Sequence, residues 1–131
     1  MPPRKTRTLT EHELEIMHVV WEHGEVTVQD VRQRLRADGQ FLAPSSIRTM
    51  LGILQERNYV TRRQKGRGFL YRATVPQNKA KGRIAKDMVE RAFRGSALDL
   101  VATLIDGKMV SKGDIDKVKR LIREYERRPE K

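Results

Sequence analysis

The first apolar residues of the chain recur at helical spacing, and the sequence marks where this helix begins. Thr10 and Glu13 form a capping box, in which the hydroxyl accepts the Glu13 amide and the carboxylate reaches back. Leu9 and Leu14 fit a hydrophobic staple across this start, and Gly24 is a typical helix stop. The apolar face of this first helix consists of Leu14, Met17, Val20 and Trp21.

A second helix follows after a short extended segment, Glu25-Val26. The sequence Thr27-Val28-Gln29-Asp30 predicts its start, and Gly39 predicts its end. The side of this helix that faces the interior is predicted to consist of Val28, Val31 and Leu35.

The third helix separates apolar and polar residues most cleanly. Pro44 suits its first turn, and the helix is predicted from Ser45 to Arg57. One face consists of Ile47, Met50, Leu51 and Leu54, and the opposite face of Ser45, Arg48, Thr49 and Gly52. Small side chains let a helix approach DNA closely, while Arg, Ser and Thr reach base edges or phosphates. The alternative is an ordinary solvent-exposed helix face, and the basic hairpin that follows this helix argues against it.

A basic hairpin follows this helix directly. Residues 59–64 and 69–73 are predicted strands, and the two glycines of Lys65-Gly66-Arg67-Gly68 permit a tight turn between them. Three bases, Arg63, Lys65 and Arg67, lie near its tip. A helix with a polar face followed by a basic hairpin is the arrangement of a recognition helix and a wing. The helix is expected to lie in the major groove, and the wing to contact the DNA backbone or the minor groove.

Beyond Pro76 the pattern predicts only helices. Breaks at Arg94-Gly95 and Gly107, with caps at Ser96 and Ser111, divide this segment into three amphipathic helices. We expect their apolar faces to pack against a second copy of the chain, although packing back on the first domain is the alternative. The predicted dimerisation residues are Met88, Phe93, Leu98, Val101, Leu104, Ile105, Ile115, Val118, Leu121 and Ile122.

These patterns predict a mostly α protein with a small β-hairpin wing: a winged helix-turn-helix followed by a helical dimerisation domain. The predicted domains are a flexible basic arm at residues 1–8, the winged helix at 9–76, the dimerisation domain at 77–126 and a flexible tail at 127–131. The arm carries Arg4, Lys5 and Arg7, which either contact DNA or form a solvated tail.

Charge strengthens the DNA-binding interpretation. The 131 residues include 28 Lys and Arg against 17 Asp and Glu, which gives a net charge of +11 and a pI near 10.4. Residues 43–77 hold seven bases and one acid, whereas residues 11–42 hold three bases and seven acids. A basic segment that coincides with the predicted recognition helix and wing favours nucleic acid as the partner over an anionic membrane surface.

Catalytic and metal-binding motifs are absent from the sequence. With no cysteine, disulfides and thiolate chemistry are excluded. His12, His18 and His23 lack the spacing of a zinc site, and no phosphate-binding loop or nucleophile motif is present. We therefore expect no enzyme activity, no metal and no cofactor. No apolar run approaches a membrane span and no secretory signal is visible, so the cytoplasm is expected.

Several stretches carry a family likeness through their order and spacing. They are Leu9-Thr10-Glu11 through Val20-Trp21, Gly24 to Val28, Ser45 to Leu51, Gly68 to Tyr71, Phe93 to Ser96 with Leu100-Val101, and Asp114-Ile115 through Leu121-Ile122. Across residues 8–125, the chain resembles the BlaI/MecI/CopY family of bacterial repressors, whose best-known members control β-lactam resistance.

The resemblance implies a winged-helix domain, a helical dimerisation domain and dyad operators, often with TACA/TGTA half-sites. It matches Ser45, Ser46, Arg48 and Thr49 to the recognition helix. In the β-lactam branch, a membrane sensor protease leads to cleavage of the repressor, and the matching position is Thr103-Leu104. The Asn-Phe pair of some members is absent there. The copper branch carries a cysteine cluster that this chain lacks.

The prediction from the sequence is a homodimeric repressor that binds an operator upstream of resistance-type or stress genes. Arg48 is expected to contact a base, the neighbouring hydroxyl residues to contact phosphates or thymine methyls, and the wing bases to neutralise phosphates. Two alternatives stay open. One is an architectural protein that coats DNA without reading its sequence, and the other is a winged helix that serves only protein contacts.

Overall fold

The computed structural model describes residues 9–129, and the chain divides into two compact units between Asp87 and Met88. The predicted N-terminal arm, residues 1–8, lies outside the described residues, as do the last two residues of the predicted tail. The elements in chain order are α1 (Glu11–His23), β1 (Glu25–Val26), α2 (Val28–Ala37), α3 (Pro44–Glu56), β2 (Val60–Lys65), β3 (Gly68–Ala73), α4 (Gln77–Ala92), α5 (Ala97–Asp106) and α6 (Lys112–Arg127). The predicted fold class is confirmed.

The first two helices begin at the predicted caps. The Thr10 hydroxyl accepts the Glu13 amide at 3.2 Å, and the Glu13 carboxylate accepts the Thr10 amide at 3.0 Å. Thr27 and Asp30 form the same reciprocal pair at 3.0 and 2.9 Å. Side chains three residues apart thus satisfy amide groups that the first turn of a helix leaves without an intrahelical acceptor, which explains why both starts were readable from the sequence.

The sheet has three antiparallel strands in the order β1-β3-β2, one strand more than the predicted hairpin. Glu25 pairs with Arg72 and Val26 pairs with Tyr71, so the short extended segment is an edge strand. Val26 and Tyr71 are buried on the side of the sheet that faces the helices. Burial of this pair gives the two-residue strand a place in the sheet that its length alone did not predict.

The turn of the hairpin is shorter than the predicted four residues. Lys65 pairs with Gly68, so both residues belong to the strands and only Gly66 and Arg67 connect them. Gly66 has a φ of 59°, a conformation that favours glycine and suits a two-residue hairpin loop. The basic tip of the hairpin is therefore tight.

The core of the first unit lies between its helices and one face of the sheet. Its members come from α1, α2, α3 and the strands, and the fully enclosed ones include Ile16, Met17, Val20, Val26, Val31, Leu35, Ile47, Leu51 and Leu54. The indole Nε1 of Trp21 donates to the carbonyl of Val75 at 2.9 Å, which ties α1 to the chain after β3. Ala80, in the first turns of α4, is also buried in this core.

A buried ion pair links the start of α1 to the end of α3. Glu13 is 2% exposed, and its carboxylate lies 3.6 Å from Nη1 of Arg57, the residue that ends α3. The same carboxylate caps α1 through the Thr10 amide. One buried acid therefore fixes the ends of two helices at once, a role that the capping motif alone did not reveal.

The second unit contains the end of α4 together with α5 and α6. Arg94 and Gly95 take φ values of 49° and 88° and break the helical path before α5. The hydroxyls of Ser96 and Ser111 accept the amides of the residues three positions on, both at 3.0 Å, as the sequence predicted. No residue of α5 or α6 is buried. Within residues 9–129, no helix is long and apolar enough to cross a membrane.

The predicted division at residues 76 and 77 stays a prediction. Helix α4 is continuous from Gln77 to Ala92, and its first turns belong to the first unit. The guanidinium of Arg83 lies 5.6 Å from the ring centroid of Tyr59, and Ala80 fills the core. The predicted tail also begins inside the last helix, because α6 runs to Arg127.

Candidate nucleic-acid interface

Helix α3 presents one buried face and one exposed face. Ile47, Leu51 and Leu54 are fully enclosed, and this fixes the rotation of the helix about its axis. The predicted recognition residues lie on the other side, where Ser45, Ser46, Arg48 and Thr49 are all exposed. The residues that the sequence singled out for DNA contact are therefore together on one accessible surface, which we call the α3 polar face.

Two side chains on the α3 polar face differ in what they offer a ligand. The Thr49 hydroxyl donates to the Ser45 carbonyl at 3.0 Å, so its proton is used within the helix, while its oxygen can still accept a hydrogen bond. Arg48 makes no hydrogen bond or ion pair to another described residue. The guanidinium group, which can pair with the O6 and N7 atoms of guanine, is free of internal partners in this part of the chain.

Gly52 has no packing role inside the protein. A Cβ atom built at this position meets no heavy atom within 4 Å, and the residue is not at a positive φ. Glycine in the interior of a helix lowers stability relative to alanine, so its presence on the α3 polar face is not explained by the fold. A smooth surface that lets another molecule approach the helix backbone is what this glycine provides.

The first turn of α3 lacks the side-chain cap found on α1 and α2. Its N-cap residue is Ala43, which makes no capping hydrogen bond, and Pro44 occupies the first helical position. The amides of Ser45 and Ser46 are thus left without a cap acceptor at the end of the helix where its dipole is positive. Together with the exposed hydroxyls, they suit contact with a phosphate group.

The wing carries the other predicted contacts. Lys65 and Arg67 are exposed at its tip, and β2 packs beside α3. Arg63 is engaged within the protein, because its Nε and one Nη donate to the two carboxylate oxygens of Glu25 at 3.0 and 3.1 Å. This hydrogen bond, together with the charges of Arg63, Arg72 and Lys65, holds the pKa of Glu25 below its ordinary value of 4.5.

The alternation of side chains between the two faces of β2 distinguishes Arg62 from Arg63. Side chains alternate between the faces of a strand, so these neighbours point in opposite directions. The Arg62 guanidinium lies 3.8 Å from the ring centroid of Phe69 and approaches the Tyr71 hydroxyl, on the face that carries the core. Period-two alternation in Val60–Lys65 could have assigned Arg62 to this face, but the Glu25 partner of Arg63 required the third strand.

The loop before α3 contains a feature that the sequence analysis missed. Phe41 is 72% exposed, and the Arg36 guanidinium lies 5.4 Å from its ring centroid. Phe41 lies three residues before Pro44, the first residue of α3. An exposed aromatic residue beside a turn was visible in the sequence, but its exposure depended on Leu42 taking the place against the core.

The predicted dimerisation residues form most of the exposed apolar surface of the second unit. Leu98, Val101, Ile105, Val118, Leu121 and Ile122 are exposed on α5 and α6, and Met88 is exposed in α4, while Phe93, Leu104 and Ile115 are half-buried. Leu98 is 79% and Leu121 63% exposed. The structure adds Met109 and Tyr125 to this second-unit apolar face. Thr103 and Leu104 lie inside α5, where the Thr103 hydroxyl donates to the Asp99 carbonyl at 2.8 Å.

A family model and two relatives match most of the chain. The penicillinase repressor family model matches residues 9–124. An uncharacterized 16.5 kDa protein of Latilactobacillus sakei is 29% identical over 117 residues, which cover 89% of this chain and 80% of that protein. The penicillinase repressor of Bacillus licheniformis is 22% identical over 125 residues, covering 95% of this chain and 97% of that protein.

A solved structure shows that the fold recurs along nearly the whole chain. The complex structure of hsRosR-SG superposes with a TM-score of 0.53 at 14% identity, covering 96% of this chain and 99% of that one. The family match spans both units, and the α3 polar face and basic wing lie within it. The family resemblance found in the sequence is confirmed: the chain belongs to the penicillinase repressor family, whose members are DNA-binding transcriptional repressors and not enzymes.

Proposed function

We propose that the protein acts as a homodimer on a dyad-symmetric operator in the cytoplasm, with α3 in the major groove and the wing on the DNA backbone. The observation that carries this proposal is the α3 polar face, because its buried opposite side fixes four recognition residues toward solvent. Arg48 contacts a base edge, while Ser45, Ser46 and Thr49 contact phosphates or thymine methyls. The wing bases add contacts that depend on salt.

Dimerisation is supported by the second-unit apolar face. Monomeric soluble proteins rarely expose large contiguous apolar surface, and here no residue of α5 or α6 is buried within its own chain. A second copy offers the same apolar residues to this face, which gives a closed two-fold interface. Such a dimer places two recognition helices on half-sites separated by about 10 base pairs or a multiple of that spacing, as a dyad operator requires.

The test of this function is binding to the DNA upstream of the protein's own gene, followed by fluorescence anisotropy. A scrambled duplex of equal length serves as the comparison at two salt concentrations. A preference for the upstream site of about 10³-fold or more is expected for a specific repressor. Equal binding to both duplexes that collapses with salt would instead support an architectural protein that does not read sequence.

Arg48→Ala tests the proposed base contact. We expect it to weaken operator binding by about 1–3 kcal/mol and to relax the preference at one base pair, because a bidentate contact to guanine is lost. Arg120→Ala is the matched control, since it removes an exposed base from α6, which belongs to the second unit and carries none of the predicted DNA contacts. Unchanged affinity and base preference in Arg48→Ala would exclude this residue as a reader of the operator.

Release by proteolysis is supported by the position of Thr103 and Leu104. Cleavage between them would divide α5 and separate Val101 from Ile105 within the second-unit apolar face. Because the bond lies inside a helix, α5 must open locally before a protease can reach it. Mass spectrometry of the chain recovered from induced cells should show a fragment that ends at Thr103, and a chain that stays intact on induction would exclude this route.

A further inference from the structure

Arg63 is occupied before any DNA is bound. Its planar guanidinium group donates through two nitrogens to both carboxylate oxygens of Glu25, at 3.0 and 3.1 Å. A phosphate group accepts the same two-pronged arrangement of donors. The carboxylate of Glu25 therefore holds the geometry that a DNA phosphate would need at Arg63.

The sheet explains why Glu25 reaches this arginine. Glu25 is paired across the sheet with Arg72, and Arg72 is paired with Thr61, so these three residues share one face. Arg63 lies two residues beyond Thr61 and has its side chain on that same face. Lys65 follows at the next position of the same face. The edge strand β1 thus brings a carboxylate beside the bases that lead to the tip of the wing.

Glu25 is the single acid in the three strands of the described sheet, against four bases. Glu25 is ionised at neutral pH, and the hydrogen bond from Arg63 with the positive charges of Arg72 and Lys65 lowers its pKa further. Both partners are substantially exposed, with 61% of the Arg63 side chain and 37% of the Glu25 side chain accessible. An exposed ion pair contributes little to folding, so a phosphate can displace the carboxylate without unfolding the wing.

We propose that Glu25 sets the affinity of the interface by competing with a DNA phosphate for the guanidinium of Arg63. The proposal rests on the proposed binding of DNA by the wing. In the free protein the Glu25 carboxylate accepts the hydrogen bonds of Arg63. On DNA, a phosphate either displaces this carboxylate or makes no bond to Arg63. Glu25 therefore reduces both the affinity and the number of phosphates that the wing neutralises.

A purely structural role for the pair makes the opposite prediction. If Glu25 served to hold the wing in position for DNA, its removal would loosen the wing and weaken binding. If Glu25 competes with phosphate, its removal frees Arg63 and strengthens binding. The sign of the change in affinity therefore separates the two roles.

The test compares Glu25→Gln, Arg63→Gln and the double variant on one fixed duplex by fluorescence anisotropy across a series of NaCl concentrations. Glu25→Gln is expected to tighten binding by about two- to fivefold, the range of an exposed ion pair. The slope of log affinity against log salt should become steeper by about 0.9, because one more phosphate is neutralised. In the Arg63→Gln background, the Glu25 substitution should produce neither change.

Glu22→Gln is the matched control. Glu22 lies three residues before Glu25 and also pairs with an arginine, accepting from Arg34 at 2.8 Å, but it does not contact the wing. We expect this variant to leave the affinity and the salt slope unchanged. Circular dichroism melts of every variant establish that each is folded at the temperature of the assay.

Three results would overturn the competition. They are weaker or unchanged binding by Glu25→Gln, a gain of equal size when Arg63 is already replaced, and a gain of equal size in Glu22→Gln. The proposed repressor function fails separately, when the wild-type chain shows no preference for its upstream site over a scrambled duplex. Because phosphates are present in any duplex, the gain in Glu25→Gln would still be measured in that case.

Discussion

Replacing Gly52 by alanine should move stability and DNA binding in opposite directions. The position lies inside α3, and an added Cβ meets no heavy atom of the protein within 4 Å. Alanine is favoured over glycine in a helix interior by about 1 kcal/mol, and no clash offsets this gain. We therefore expect a midpoint of thermal unfolding about 4 °C higher.

The same methyl group stands on the surface that is proposed to enter the major groove. If the helix backbone approaches DNA at this point, the methyl group forces a shift in a close-packed contact, at a cost of about 1–3 kcal/mol. Operator affinity should then fall by about 5-fold to 150-fold. A variant that is more stable and binds less well cannot owe its defect to unfolding.

Gly82→Ala provides the matched control, because this glycine also lies inside a helix and an added Cβ meets open space. It is expected to raise the unfolding midpoint by a similar amount and to leave operator affinity unchanged. The assays are thermal unfolding by circular dichroism and fluorescence anisotropy on the same preparations. Unchanged operator affinity in Gly52→Ala would refute the close approach of α3 to DNA.

Three further predictions concern the core, the dimer and the wing. Glu13→Gln should lower the free energy of unfolding in urea by about 3 kcal/mol, because it removes a buried negative charge that pairs with Arg57. Glu11→Gln, at an exposed position, should change this free energy by less than about 1 kcal/mol, and equal losses would contradict the reasoning. In sedimentation equilibrium the wild-type chain is expected to be the proposed dimer and Ile122→Glu a monomer, since the substitution places a charge in the second-unit apolar face. A dimer that persists in this variant would exclude this face as the interface. The titration midpoint of Glu25, followed by NMR, should lie below 4.5 and should return toward 4.5 in Arg63→Gln. The stability that this ion pair contributes is complete above the ordinary pKa of Glu25 and is lost as the pH falls through its lowered pKa. An unshifted midpoint would argue against the ion pair.

Local capping signals gave the correct starts of α1, α2, α5 and α6, whereas α3, which lacks a side-chain cap, begins one residue before its predicted start. The Thr10 and Thr27 caps act through residues three positions away, so the whole interaction is contained in one turn and can be read from sequence. The α3 polar face was predictable for a similar reason, because the rotation of a helix follows from which of its residues are apolar. Local spacing thus predicted the capped helix starts and the exposed face of α3.

Non-local pairing explains what the sequence did not reveal. Glu25 and Arg63 are 38 positions apart and meet only because β3 lies between their strands. The Glu13 partner, Arg57, is brought to it by the packing of α1 against α3. Neither pair has a signature in spacing or composition, so the sequence predicted Arg63 only as a DNA contact and gave Arg57 no role of its own. The wing's positive charge is consequently smaller in effect than the sequence suggested, because Glu25 already neutralises part of it.

The two units differ in a way that connects stability to regulation. The first unit closes its own core around residues such as Ile16 and Leu51, so it has the means to fold without a partner. In α5 and α6 no residue is buried, so the proposed dimer would supply the burial that the single chain lacks. When one recognition helix of a dimer is bound to its half-site, the second helix is held at a high effective concentration near the other half-site, which raises the affinity of the dimer for the whole operator. In the proposed dimer, any event that separates the second units is expected to release the operator while leaving each first unit folded, and the proposed cleavage within α5 is one such event.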